Sequence, residues 1–227
     1  MAAVHTVLKP PFHFRYACSV ATTLNGASAG GQRLTRKGQE TRRRIVSEAA
    51  ALMYEHGVTP TRIEEVQAAA GVSASQIYHY FGDKDGLVRA VIEHQTESVL
   101  GVQKPLLANL DSIAALVAWR DVIVSIHRDG RNQHGCPMGS LSSELSRSTP
   151  GARAELLAGF NRWGQALRNG LRAMRTRGEL PDRVDPERFA LALLAAVQGG
   201  LVLTQARRDT VALEAALDTL IDCLRGH

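Results

Sequence analysis

With 227 residues, 44% of them apolar and only 5% aromatic, the chain is long enough to bury a core, and its Ala- and Leu-rich second half favours packed helices over sheets. Three widely spaced cysteines, Cys18, Cys136 and Cys223, exclude a disulfide framework or a zinc finger and fit a reducing cytoplasm. The net charge of +5 is small for a nucleic-acid-binding protein, so its distribution is more informative, and no apolar run is predicted to cross a membrane.

Residues 1–35 are predicted to form a separate flexible arm. They contain no acidic residue, and the small-residue stretch at 25–31 has no helical period. A continuous apolar stretch of the kind found in secretory signals is also missing. A start codon assigned too far upstream would give the same pattern, and a transit peptide is a further alternative.

The first helix is predicted to begin near Arg36 and to end at Gly57. Its apolar residues fall on one face at helical spacing: Ile45, Ala49, Leu52 and Met53. Its start overlaps a basic cluster, because six basic residues and one acid, Glu40, lie between Arg33 and Arg44. Such a cluster can face phosphate groups, and a solvated charge run is the alternative.

Two short helices follow, joined by a turn at Gly71. Thr61 and Glu64 have the spacing of a capping box and are predicted to start the second helix, which ends near residue 69. Ser73 and Gln76 repeat this spacing at the start of the third helix, which ends near residue 81. The pair predicts a helix-turn-helix, in which the second helix enters the major groove and the first supports it.

The remaining residues are predicted to be helical as well. Helices are expected at about 83–102, at 111–129, after Pro137, at 150–177, at 185–207 and at 209–224, with Asp185-Pro186-Glu187 as a strong start signal. The sequence contains no Gly-rich phosphate loop, nucleophile elbow or metal-spaced His/Glu pair. An all-helical enzyme and a protein-binding adaptor are therefore the weaker alternatives to a DNA-binding protein.

The helix-turn-helix residues carry a family resemblance. The run TRIEEVQAAAGVS at 61–73, followed by IYHYF at 77–81 and Lys84, resembles the DNA-binding domain of the tetracycline-repressor (TetR/AcrR) family. Ile45, Ala49 and Gly57 match the first helix of that domain, whereas Tyr80 stands where members often have a histidine.

The resemblance implies an all-α homodimer of about nine helices per chain. Residues 36–82 are expected to form the DNA-binding domain and residues 83–227 a ligand-binding and dimerisation domain. The implied function is a cytoplasmic repressor, not an enzyme, which a small apolar effector releases from a palindromic operator. No cofactor is expected.

The resemblance also implies which residues contact double-stranded DNA. Thr61 and the amides after it are expected to meet a phosphate at a helix N-terminus. Contacts with the DNA backbone are expected from Arg42, Arg43, Arg44, Tyr78, Tyr80 and Lys84. Base edges are expected to meet Ala74, Ser75, Gln76 and His79, with Gln76 suited to adenine. Core packing is the alternative for Tyr78.

Apolar residues with a few polar neighbours predict a ligand cavity in the second half. The candidate lining residues are Trp119, Ile123, His127, Cys136, Met138, Phe160 and Trp163. For each of them an ordinary place in the core is the alternative.

Cys136 lies in the segment GCPMGSLSSEL, which resembles a motif in one branch of these regulators. Pro137 at a first helical turn would put Cys136 at the N-cap, where the helix dipole favours a thiolate. With His134 nearby, Cys136 is an alternative sensor that oxidation or an electrophile would switch. A buried, unreactive cysteine is the other interpretation, and the spacing of His127, His134 and Cys136 does not predict a metal site.

Two apolar stripes near the C-terminus predict the dimer interface as a four-helix bundle, with intrachain core as the alternative. The predicted interface residues are Val197, Gly200, Leu201, Thr204, Leu213, Leu217 and Leu220.

Overall fold

The computed structural model describes residues 34–128, 135–145 and 150–225, so that nearly all of the predicted arm at 1–35 lies outside it. Within these residues the chain forms nine helices and no strand, which confirms the all-α prediction. The helices are α1 (Arg36–His56), α2 (Ile63–Ala70), α3 (Ala74–Phe81), α4 (Lys84–Leu107), α5 (Ile113–Arg128), α6 (Pro137–Leu145), α7 (Pro150–Thr176), α8 (Pro186–Arg207) and α9 (Val211–Arg225).

Capping residues decide where the two short helices begin. Ser73 starts α3 as predicted, because its hydroxyl accepts from the Gln76 amide while the Gln76 side chain accepts from the Ser73 amide. The predicted start of α2 is wrong by one residue. Glu65, not Glu64, accepts from the amide of Arg62, and Arg62 is the N-cap.

Helices α1 to α3 and the first half of α4 enclose one apolar core. Its buried members include Ile45, Ala49, Val66, Ile77, Phe81, Leu87 and Val91. The same cluster continues into Leu141 and Leu145 of α6 and Leu156 of α7. The helix-turn-helix unit is therefore packed directly against the second half of the chain.

Helix α4 joins the two halves and is longer than predicted. It continues past the expected end near residue 102 to Leu107, with Pro105 inside its last turn. The buried Gln103 explains the extra length, because its side chain bonds to the Val99 carbonyl and accepts from the Trp119 indole at 2.8 Å. These contacts add to a local cap of the helix end, because the Asn109 side chain donates to the Pro105 carbonyl at 3.0 Å.

Helices α8 and α9 pack against each other within the chain, and this corrects the predicted dimer interface. A Cβ at Gly200 would lie 2.8 Å from the Leu213 Cα, so the two backbones approach closely. The predicted interface residues buried in the intrachain core are Val197, Gly200, Leu201, Leu213 and Leu217. Thr204 and Leu220 are partly buried. These stripes face each other across the close approach of the two helices at Gly200.

The opposite side of α8 is apolar and exposed. Leu191 is 59% exposed, Val202 63% and Leu203 50%, and Val211 at the start of α9 is 59% exposed. By length and composition α8 is apolar enough to cross a membrane, contrary to the prediction that no run has this property. Part of its surface is instead buried against α9, whereas the outer apolar face stays exposed.

Candidate nucleic-acid interface

Helix α3 presents the predicted base-reading residues on one outer face. Ser75, Gln76 and His79 are exposed, and Tyr78 is 49% exposed, whereas Ile77 on the opposite side is completely buried. Tyr78 is thus a surface residue, which removes core packing as its role. A short helix with a polar and aromatic outer face, held from behind by an apolar core, has the shape needed to enter a major groove.

The side chain of Gln76 is already engaged in the capping box of α3. Its side-chain oxygen accepts from the Ser73 amide at 3.0 Å. Bidentate recognition of adenine needs both the oxygen and the amide nitrogen of a glutamine. Contact with an adenine would therefore require Gln76 to share or release the Ser73 bond.

The expected phosphate contact by the Thr61 side chain is wrong. Thr61 is 1% exposed, and its hydroxyl donates to the Gly57 carbonyl at 2.6 Å, which closes the loop between α1 and α2. Arg62, the N-cap of α2, is exposed instead, and the sequence did not indicate a role for its side chain. Arg62 could have been found only as the N-cap of α2. The capping-box spacing predicted Thr61 for that position, one residue too early.

The three consecutive arginines of α1 have different surroundings. The guanidinium of Arg42 lies 5.4 Å from the centre of the Phe81 ring, a cation–π distance. Arg44 donates to the Ala70 carbonyl at 2.8 Å and so caps the C-terminus of α2. Arg43 is exposed and has no such contact among the described residues. Of the three, Arg43 is the best placed for a phosphate.

Tyr80 and Lys84 lie at the edge of the α3 face. The Tyr80 ring packs edge-on against His79 with 5.2 Å between ring centres. Lys84 is partly buried, and its ammonium donates to the Thr59 carbonyl at 3.3 Å. Lys84 therefore helps to hold the loop before α2.

The residues predicted to line a ligand cavity are brought together, but as closely packed core. Trp119, Met138 and Trp163 are at most 1% exposed. The wider group shares one cluster: Trp119, Ile123, Cys136, Met138 and Trp163, with Phe160 packed against it. His127 is partly buried near this cluster, and burial lowers its pKa although a bond to the Ile123 carbonyl acts in the opposite direction.

Two cavities in the described part of the chain lie elsewhere. One of about 80 Å³ lies between α1, α4 and α6, and an open groove of about 420 Å³ lies between α1, α4 and α7. None of the predicted ligand-binding residues lines either of them. A ligand among the two tryptophans would therefore have to open the core.

The indole N–H of Trp163 has no hydrogen-bond partner among the described residues, although that of Trp119 is satisfied by Gln103. A buried donor without an acceptor costs about 1–3 kcal/mol, so the Trp163 indole favours an added acceptor.

The surroundings of Cys136 favour the interpretation of a buried, unreactive cysteine over that of a thiolate. Cys136 is 6% exposed, and burial raises the pKa of its thiol, although the Gly139 amide, the Gln198 side chain and the Met138 amide partly offset this. Desolvation outweighs the helix N-terminus because a thiolate loses more solvation than the nearby amides restore. His134, the proposed neighbour, lies outside the described residues.

Comparison with known proteins gives two adjacent family matches. Residues 45–91 match the family described as bacterial regulatory proteins, tetR family. Residues 112–220 match the family described as tetracyclin repressor-like, C-terminal domain. The first match runs from the middle of α1 through α2 and α3 into α4, and the second runs from the start of α5 into α9.

Individual proteins agree with these matches over most of their length. The chain is 28% identical to a probable HTH-type transcriptional regulator, ArpR of Pseudomonas putida, over 86% of this chain and 96% of that protein. It is 30% identical to an uncharacterized HTH-type transcriptional regulator of Mycobacterium tuberculosis, over 78% and 90% of the two chains. A solved TetR transcriptional regulator from Chloroflexus aurantiacus superposes with a TM-score of 0.71 and 29% identity, over 83% and 96%.

Proposed function

Since the chain belongs to the TetR family of bacterial transcriptional regulators, and is therefore a DNA-binding regulator and not an enzyme, we propose that it is a cytoplasmic repressor. Two copies of α3 bind the half-sites of a palindromic operator. A small effector in the second half of each chain weakens this binding. The exposed face of α3, with Ser75, Gln76, Tyr78 and His79, is the observation that carries the proposal.

A dimer is required because one α3 reads only half of a palindrome. The exposed side of α8, with Leu191, Val202 and Leu203, supplies an apolar surface that a monomer would leave in water. Val211 extends this surface onto α9. We infer that this outer face, called here the α8 face, packs against the same face of a second copy.

The effector is proposed to bind in the core around Trp119 and Trp163. The indole N–H of Trp163 has no partner among the described residues, which supports an effector that is mainly apolar but carries a hydrogen-bond acceptor such as a carbonyl. Thiol modification at Cys136 is the second candidate for switching. Its support is position, because Cys136 packs in the same core, and its low exposure and raised pKa make it the weaker proposal.

Replacing Gln76 with alanine is expected to weaken operator binding by about 1–3 kcal/mol and to relax the preference at one base pair. Binding to random DNA should change little, because it depends mainly on phosphate contacts. Gel shifts with operator variants and random duplexes at fixed salt measure both quantities. Since Gln76 also caps α3, melting curves must accompany the binding data.

Lys84→Ala is the comparison variant for this experiment. Loss of a phosphate contact should weaken operator and random DNA alike and reduce the salt dependence. If Gln76→Ala also weakens both kinds of DNA equally, Gln76 contacts no base.

A Trp163→Phe chain tests the effector proposal. Phenylalanine keeps an aromatic ring but lacks the N–H group, so affinity for a carbonyl-bearing probe should fall about five- to ten-fold, equivalent to one hydrogen bond. Benzophenone and diphenylmethane form a matched pair of probes, because only the first carries an acceptor. Quenching of the remaining tryptophan, Trp119, reports binding in the variant.

A probe that acts as an effector must also bind free and operator-bound protein with different affinities. An effector that releases DNA has to bind the free protein more tightly than the operator complex, by the same factor with which it weakens the operator. A compound with equal affinities for the two forms binds the protein but does not release the operator. If neither probe quenches the tryptophans or releases DNA, modification of Cys136 becomes the better account of switching.

A further inference from the structure

The segment that contains α6 is bonded to the helix-turn-helix unit at both of its ends. At its start, the Tyr54 hydroxyl of α1 donates to the Gly135 carbonyl at 2.7 Å. At its end, the Glu144 carboxylate accepts from the Val58 amide at 2.8 Å and from the Thr59 amide at 2.7 Å. We call these contacts the α6 clamp.

Glu144 holds the loop through which α1 leads into α2. The amides of Val58 and Thr59 come directly after the last turn of α1, and each is bonded by a different oxygen of the same carboxylate. Hydrogen bonds to an ionised acceptor are roughly twice as strong as neutral ones. The Lys84 ammonium also donates to the Thr59 carbonyl, so the loop is bonded both to α6 and to α4.

The carboxylate stays ionised at neutral pH. Burial alone would raise the pKa of Glu144, but the Val58 and Thr59 amides and the charge of Lys84 more than compensate and lower it. The clamp is therefore complete above the ordinary pKa of a glutamate and is lost only when the pH falls through the lowered value.

The other side of the same segment lies against α8. A Cβ at Gly135 would be 2.3 Å from the Gln205 side-chain nitrogen, and one at Gly139 would be 2.6 Å from the Gln198 side-chain oxygen. Residues 135–145 thus lie between the helix with the exposed apolar face and the loop before α2. Glu144 thus connects the loop before α2 to a segment that packs against α8.

We propose that Glu144 is a positioning residue that holds the helix-turn-helix unit in its operator-competent orientation without contacting DNA. The inference rests on the proposed DNA-binding function. Without the clamp the unit would sample several orientations, and the observed affinity falls in proportion to the competent fraction. Specific binding suffers most, because the two recognition helices must keep a fixed spacing.

The test compares the full chain carrying Glu144→Gln with one carrying Glu93→Gln. Both changes remove one carboxylate, but Glu93 is an exposed residue of α4 outside the clamp. Removing a negative charge should by itself strengthen binding to DNA. We therefore expect operator affinity to fall about ten-fold or more in Glu144→Gln, as for loss of one strong charge-assisted bond, and to stay equal or rise slightly in Glu93→Gln.

Hydrogen exchange of the Val58 and Thr59 amides in the DNA-free protein provides a second readout, and it should accelerate only in Glu144→Gln. Tyr54→Phe removes the other end of the clamp while keeping the ring, and should also weaken the operator complex. It replaces Glu144→Gln if that chain does not fold.

The outcomes separate the two proposals. A wild-type chain that binds no operator would overturn the proposed function and this inference together. A wild-type chain that binds, with clamp variants that bind equally or more tightly, would overturn only the role of Glu144.

Discussion

A chain carrying Val202→Glu is expected to be monomeric in solution and to bind its operator about 100-fold more weakly than the wild type. Val202 is 63% exposed on α8, so the change leaves the fold of the single chain intact. In a dimer formed through the α8 face, each glutamate would be buried without a partner, at a cost of about 3–5 kcal/mol. Sedimentation velocity and operator titration measure the two effects.

Leu157→Glu is the matched control for this experiment. Leu157 is 60% exposed on α7, so it has a similar exposure but lies outside the α8 face. This variant should stay dimeric and bind the operator normally. A Val202→Glu chain that still sediments as a dimer would remove the α8 face from the interface.

Leu201 is the neighbour of Val202 in the sequence but lies in the core. Leu201→Glu therefore shows how a charge in the core differs from a charge on the α8 face. Leu201 is 3% exposed and belongs to the intrachain core beside α9. A glutamate there should unfold the second half instead of releasing folded monomers, because an unpaired buried charge opposes folding itself. Circular dichroism distinguishes the unfolded chain from a folded monomer.

Gly86→Ala is expected to destabilise the helix-turn-helix unit by about 3 kcal/mol and to abolish operator binding at ordinary protein concentrations. A Cβ at Gly86 would lie 2.0 Å from the Phe81 carbonyl oxygen, which is backbone and cannot rotate away. The Gly86 amide also donates to Asp83 at 2.6 Å, so the first turn of α4 cannot move without losing its cap. The junction of α3 and α4 would have to open.

Gly101→Ala is the control for this prediction. It tests whether the loss of stability comes from the contact with Phe81 or from any change of glycine to alanine in α4. Gly101 lies on the exposed side of the same helix, and no atom lies within 4 Å of the added Cβ. Alanine there should stabilise α4 by about 1 kcal/mol through helix propensity. Thermal unfolding of both variants gives opposite shifts if the contact at Phe81 is decisive, and similar shifts would refute this account.

Local signals made much of the fold predictable. The Ser73–Gln76 capping box, the turn at Gly71 and the start signal at Asp185 each act within a few residues, and all three occur in the structure where they were predicted. The same short-range rule failed at Thr61. Two adjacent residues could each serve as N-cap, and burial of the Thr61 hydroxyl against Gly57 decided between them.

The candidate DNA-binding face was predictable for a similar reason. Helical geometry puts Ser75, Gln76 and His79 on the side opposite Ile77 once α3 is known to be a helix. The roles of Arg42 and Arg44 were not predictable, because Phe81 and the Ala70 carbonyl come next to them only when the three helices pack.

The sequence by itself determined the all-α class, the helix-turn-helix and the outer face of α3, because caps, turns and helical periodicity depend on neighbours along the chain. Tertiary structure decided which side of α8 is buried and how α6 meets the loop before α2. Helix α8 is apolar on both sides, so periodicity cannot tell the side that packs on α9 from the side that stays exposed. Glu144 and Val58 are 86 residues apart, and only folding brings the carboxylate to that amide.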